Sequence, residues 1–352
     1  MTSEQFKVGI IGLGRIGAVH VEAWEALGGA KVVAACDSSA EARAGAVKKG
    51  MAAFSSPAAM LESMEIDAVG ICAPPNQHQP LAEICFDKGV PVLCEKPLAA
   101  DGASATALVE SAHKHRARFQ LATKFRHVPD LQYAKELINQ GAIGDVLTFR
   151  IEFSGPVDMS QRWNSEPSMS GGGVLIDNGS HALDLARFMF SPIDSVMAVN
   201  LKPVQKLKVE DSALLLVSTE CGVTGKIMLS WSMKPEGQDY VVIQGSKGQL
   251  TVGWKESFLR VDGQAPQKIG NGYDKNDSHR RMMTMFRDFA RGNGQGWISE
   301  EEALSSALVT DAAYQSIRSG RWVKVEVPRL AGLKRPADLE ANTRLRLVAG
   351  LR

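Results

Sequence analysis

The chain has 352 residues, 44% hydrophobic and 22% charged, enough apolar material for one large core or two smaller ones. Lysine and arginine number 40 against 39 acidic side chains, a formal net charge of +1. With no field of one sign over the surface, a general nucleic-acid or polyanion binder is disfavoured. Apolar runs such as 8–13 and 213–217 stop well short of the ~18–20 residues that cross a bilayer. Residues 1–7 lack a signal-peptide pattern, so the expectation is a soluble, cytoplasmic protein without a membrane partner. The five cysteines, Cys36, Cys72, Cys85, Cys94 and Cys221, are odd in number and lack CxxC spacing. Neither a disulfide framework nor a metal site is expected.

From residue 6 to about 123, short apolar runs alternate with segments of helical period. Strands are expected at 6–11, 31–36, 67–72, 90–94 and 119–123, with helices at 15–27, 39–49, 79–88 and 102–115. Strands that are apolar nearly throughout belong to a parallel sheet covered on both faces. The alternation therefore predicts a doubly wound α/β Rossmann domain at 1–125.

After a helix at 130–139 the rhythm changes to period-two alternation, at 146–153, 195–201, 212–220, 225–233, 240–245 and 249–252. Such strands suit a mainly antiparallel sheet with one face on a core and the other open. Helices at 281–290 and 300–319 and a strand at 322–327 follow, giving an α+β domain at 126–328. The basic tail at 329–352 reads either as an amphipathic arm or as a solvated segment.

Gly12, Gly14 and Gly17 form GxGxxG directly after the first strand and at the opening of a helix, with Arg15 and Ile16 inside the motif. The first glycine permits a tight turn, the second leaves room for a pyrophosphate, and the third lets helix and strand pack closely. Free N–H groups at the helix start then face the phosphates. Asp37, at the end of the second strand, is placed to accept hydrogen bonds from both adenosine ribose hydroxyls and would repel a 2′-phosphate. NAD is therefore expected in preference to NADP.

Two further strand ends face the same crevice. Pro74, Pro75, Asn76, Gln77 and His78 follow the third predicted strand, and Glu95, Lys96 and Pro97 follow the fourth. Pro74, Asn76, His78, Glu95 and Lys96 are candidates for the cofactor side, with a capping or loop role as the alternative for His78. Lys96, between an apolar strand and a proline, is placed to hydrogen-bond a substrate hydroxyl near a nicotinamide. Further on, Gly171, Gly172 and Gly173 read as a flexible loop leading into an apolar helix. Asp177 and His181, four apart, would share one face of that helix, where the carboxylate could orient the imidazole. The alternative is a helix cap with a packed histidine. Arg126, Arg162 and Trp163 are candidate substrate-side groups, with ordinary loop or surface positions as the alternative, and Asp184, close to one turn past His181, reads as a residue that supports the site from behind or simply packs.

Together these motifs resemble the Gfo/Idh/MocA oxidoreductases, which include glucose-fructose oxidoreductase and inositol dehydrogenase. The resemblance covers about residues 7–327. It extends to Lys124, Phe125 and Arg126, to 209–213, and to Gly245, Ser246, Lys247 and Gly248. It implies a Rossmann domain joined to an open-faced sheet domain, and a homodimer or homotetramer built through that sheet. It also implies NAD-dependent hydride transfer to or from a secondary alcohol carbon of a sugar, sugar derivative or cyclitol. Lys96, Asp177 and His181 match the family's catalytic group. In the mechanism expected from them, His181 takes the hydroxyl proton, Lys96 donates to the oxygen, and Asp177 sets the imidazole's tautomer. Two other readings stay open: a catalytically silent dinucleotide sensor, and an oxidoreductase acting on a dihydrodiol, aldehyde or imine.

Overall fold

The structure, a computed structural model, describes residues 5–328; the expectation for 329–352 lies outside the described residues. Its first half runs β1 (Phe6–Ile11), α1 (Arg15–Glu25), β2 (Ala30–Cys36), α2 (Ala40–Lys48), β3 (Ala52–Phe54) and α3 (Pro57–Ser63). It continues with β4 (Ala68–Ile71), α4 (His78–Asp87), β5 (Val92–Cys94), α5 (Gly102–Lys114) and β6 (Phe119–Leu121). The six strands pair in the order β3-β2-β1-β4-β5-β6, all parallel. β4 and β5 are buried along their whole length because helices cover both faces of the sheet. The winding reverses between β1 and β4, which opens a crevice at their carboxyl ends.

The second half runs α6 (Pro129–Asn139), β7 (Val146–Ser154), α7 (Pro167–Ser170), α8 (Val174–Met189), β8 (Ile193–Asn200), β9 (Ser212–Thr219) and β10 (Thr224–Ser230). There follow β11 (Asp239–Gly245), β12 (Gly248–Gly253), β13 (Ser257–Val261), β14 (Gln267–Gly270), α9 (Lys275–Ala290), α10 (Glu300–Ser319) and β15 (Val323–Lys324). The strand order is β14-β13-β12-β11-β7-β10-β9-β8-β15. Every neighbouring pair is antiparallel except β7 with β10. Phe149, Ile151, Leu215, Val217, Ile227 and Leu229 pack with Leu175, Leu183 and Val309 of the covering helices. By the alternation of the strands, Val199, Leu214, Leu216, Met228 and Val242 point the other way. Val199 and Leu216 stand exposed on that outer face.

Five elements were not foreseen, among them the single-turn α7. β3 is too short to carry a period, and α3 follows it at once; β13 and β14 are short strands, and β14, at the edge of the sheet, is mostly polar. α9 begins at Lys275 rather than near 281, because the Asp274 carboxylate caps it by accepting from the backbone N–H groups of Asn276 and Asp277. Its first turns are polar and hide the apolar stripe that follows. That stripe, Met282, Met283, Phe286 and Ala290, packs with Val8, Ile10 and Trp24, so a helix from late in the chain covers the first sheet.

Candidate active site

The turn after β1 fits a dinucleotide because its three glycines meet different surroundings. A Cβ on Gly12 (φ +94°) would lie 2.7 Å from the Cys72 backbone, and one on Gly17 would lie 2.0 Å from the Gly12 carbonyl oxygen. At Gly14 the same atom would meet nothing within 4 Å, leaving the opening a pyrophosphate requires. Among the described residues no side chain caps the start of α1, so its first N–H groups are available to an anion. The Asp37 carboxylate is braced by the backbone N–H groups of Leu13 (2.7 Å) and Ser39 (2.8 Å), and two oxygens have lone pairs to spare for ribose hydroxyls. Arg15 is exposed, and Ile16 packs partly buried against the core beneath α1. Gly14→Val is expected to weaken NAD binding sharply, by calorimetry, while the apoprotein's melting temperature stays near wild type. Gly17→Ala should instead destabilise the fold by about 1–3 kcal/mol, because the added atom overlaps backbone.

At the carboxyl end of β5, Glu95 is buried, with one carboxylate oxygen 2.7 Å from His20 Nε2 and the other accepting from the Lys96 backbone N–H. Burial alone would raise its pKa; the hydrogen bond and charge of His20, followed by Lys96, win and hold it at about 2. Above it, Lys96 Nζ donates to Asp177 Oδ1 at 2.6 Å and to the Asp177 carbonyl oxygen at 3.2 Å. One of its three N–H groups remains for a ligand oxygen. Lys96, Thr123, Ser180 and His181 line one cavity.

Asp177 is delivered by a close-packed segment, not by a flexible one. Cβ atoms on Gly171, Gly172 and Gly173 would lie within 2.0 Å of Ala100 O, Tyr314 Oη and Glu210 O respectively. Only glycine fits all three contacts, and the wedged segment fixes where α8 begins. The sequence also placed the Asp177 carboxylate on His181, and this requires correction: it pairs with Lys96 across the two halves of the chain. A full cation offers a carboxylate a stronger hydrogen bond than a neutral imidazole does. The His181 ring instead meets Phe125 edge-on, with centroids 5.0 Å apart. Burial, then the charges of Lys96 and Lys124, push its pKa well below the usual histidine range. The imidazole is therefore neutral at pH 7, with a lone pair able to accept a proton.

Three other candidates are engaged by partners within the fold. Arg126, expected on the substrate side, is buried and gripped by Asp184 through Nε and Nη2, the shortest contact being 2.6 Å. It also donates to the Trp297 carbonyl oxygen. His78, buried, lies between the carbonyl oxygens of Ala73 (2.9 Å) and Leu98 (3.2 Å), so its ring ties the two strand-end loops together. Asn76 donates to the Ser168 carbonyl oxygen, joining the turn that Pro74 opens to the second half of the chain. Arg162 and Trp163 sit in the loop leading to α7, which packs on that turn. No hydrogen bond among the described residues connects them to Lys96, Asp177 or His181. Sequence reasoning quoted Lys124 without assigning it a role; it follows β6 at the same end of the sheet as Lys96, which is the signal that could have marked it.

Residues 6–123 match the family model described as an oxidoreductase family with an NAD-binding Rossmann fold, and residues 131–251 match the GFO/IDH/MocA C-terminal domain. The chain is 26% identical over 344 residues to a D-apiose dehydrogenase of Paraburkholderia graminis, covering 92% of this chain and 91% of that protein. An inositol 2-dehydrogenase of Rubrobacter xylanophilus is 29% identical over 335 residues, covering 92% and 94%. A levoglucosan dehydrogenase solved with NADH and levoglucosan shares the fold, with a TM-score of 0.84 at 22% identity over 92% of this chain and all of that one. With both halves matched, and with a glycine turn shaped for NAD, the chain belongs to the GFO/IDH/MocA family of NAD-binding oxidoreductases.

Proposed function

We propose that the protein oxidises a secondary alcohol carbon of a sugar, sugar derivative or cyclitol with NAD. The observation that carries this reading is the Lys96–Asp177 pair, 2.6 Å across the two halves of the chain, on a cavity that His181 also lines. NAD, held by the Gly12–Gly17 turn and Asp37, supplies the hydride acceptor when bound. The free N–H of Lys96 donates to the substrate oxygen as negative charge develops there. Neutral His181 takes the hydroxyl proton, and Asp177 aims the Lys96 ammonium through its carboxylate and carbonyl oxygens. NADH absorbance followed over a panel of polyols, sugars, sugar acids, cyclitols and dihydrodiols tests the reading. Turnover of a polyol or sugar is expected; tight NAD binding with no turnover of any panel member contradicts it.

The proposed division of the chain falls near residue 125, where the parallel sheet has ended and α6 joins the second core. The proposed assembly is a homodimer or homotetramer through the outer face of the second sheet, supported by the apolar row of Val199, Leu214, Leu216, Met228 and Val242. Val199→Lys with Leu216→Lys should shift the protein to monomer by light scattering; an unchanged mass would place any interface elsewhere. The proposed compartment is the cytoplasm, a reading supported by free cysteines at all five positions. Among the described residues, no helix is long and apolar enough to cross a membrane.

A further inference from the structure

We propose that Lys124 is a substrate-binding cation that selects a carboxylate, so that this site takes a sugar acid in preference to a neutral polyol. The proposal rests on the dehydrogenase reading above, and it names a substrate class for that reading, from a cation that shares the Phe125 ring with His181.

Lys124 follows β6 at the carboxyl end of the parallel sheet, and its charge is felt by His181. Its ammonium stands 5.3 Å from the Phe125 ring centroid and 5.7 Å from that of Tyr273. Phe125 is the ring that His181 also touches. The rings offer their faces to the cation but no hydrogen-bond acceptor. Among the described residues, no hydrogen bond or ion pair to Lys124 Nζ is formed. Elsewhere this chain pairs its buried cations, Arg126 with Asp184 and Arg187 with Glu302.

The two carboxylates whose charge reaches Lys124 are already engaged. Glu95 is held by His20 and the Lys96 backbone, and Asp177 by Lys96 Nζ. Burial, then repulsion from Lys96 and, more weakly, Lys275, lowers the Lys124 pKa to about 8, against the opposing pull of Glu95 and Asp177. At neutral pH the group therefore remains mostly charged. A partly buried cation without an acceptor is costly unless a partner arrives. Neutral hydroxyls would satisfy its N–H groups but leave the charge uncompensated. A carboxylate supplies both acceptor and countercharge, while a hydroxyl elsewhere on the same molecule meets Lys96 and His181.

Calorimetric titration of the NADH-loaded protein tests this without turnover, using matched probes: D-glucuronate against D-glucose and D-galacturonate against D-galactose. At least one acid should bind about tenfold or more tightly than its neutral partner, and the preference should shrink as salt rises. Lys124→Met should remove the preference and Lys124→Arg should keep it. Equal or weaker binding of both acids, no binding of any probe, or a preference that survives in Lys124→Met overturns the proposal. Turnover of the same probes with NAD is read separately. An acid that binds with the expected preference but yields no NADH supports Lys124 as the anion site and counts against the dehydrogenase reading.

Discussion

Lys96→Met is expected to lower turnover by about 10² to 10⁴-fold, the usual worth of a positioned proton-transfer or hydrogen-bonding group, while NAD affinity stays close to wild type. The separation follows from geometry. The NAD contacts proposed for Gly12, Gly14 and Asp37 lie after β1 and β2, whereas Lys96 reaches away from them toward Asp177 on α8. Methionine keeps most of the apolar stem and removes the N–H that faces the substrate. His181→Ala should lose activity on a similar scale, because among the described residues no other imidazole lines that cavity beside Lys96. Steady-state kinetics paired with calorimetric NAD titration checks both variants. A parallel collapse of NAD binding and turnover would assign Lys96 to the architecture of the crevice rather than to chemistry.

The largest stability effect should come from the Arg126–Asp184 pair. Both side chains are buried, and the guanidinium meets the carboxylate through two nitrogens, with Glu302 3.5 Å from a third. Glu302 also meets Arg187, so the cluster ties the residues after β6 to α8 and α10. Asp184→Ala strands a buried cation and should cost about 3–5 kcal/mol by chemical denaturation. Arg126→Met combined with Asp184→Leu removes both charges and should recover most of that loss, since apolar replacements of buried pairs are often tolerated. A cost below about 1 kcal/mol for Asp184→Ala would mean that water or Glu302 already compensates the guanidinium.

The parallel domain was legible because its signals are local. Apolar strands such as Val8 to Ile11, the glycine turn and Asp37 each act within a short stretch, and the order of strands and helices fixes their neighbours. Lys96 was readable for the same reason, at a strand end held by a proline. What depends on distant parts of the chain was not readable. Asp177 and His181 share a helix face by spacing, yet the carboxylate turns to Lys96, 81 positions away in sequence. His78 and Arg126 carry polar groups that suit a ligand, and only their carbonyl and carboxylate partners show that the fold consumes them. The triple glycine looked like freedom because nothing in its own sequence announces Ala100, Tyr314 and Glu210. Lys124 was passed over because the pairing that distinguishes a surface lysine from one kept for a ligand exists only in three dimensions.

The most direct test follows the carbinol hydrogen itself. The protein is incubated with NAD and a substrate found in the panel, prepared with deuterium at one secondary carbinol carbon at a time, and the NADH formed is read by NMR at nicotinamide C4. The expected result is label delivered to a single face of C4 from one secondary carbon, and none delivered when Lys96→Met and His181→Ala are combined. Label reaching C4 at an undiminished rate in that double variant would show that the cavity bounded by Lys96 and His181 is not where the carbon is oxidised.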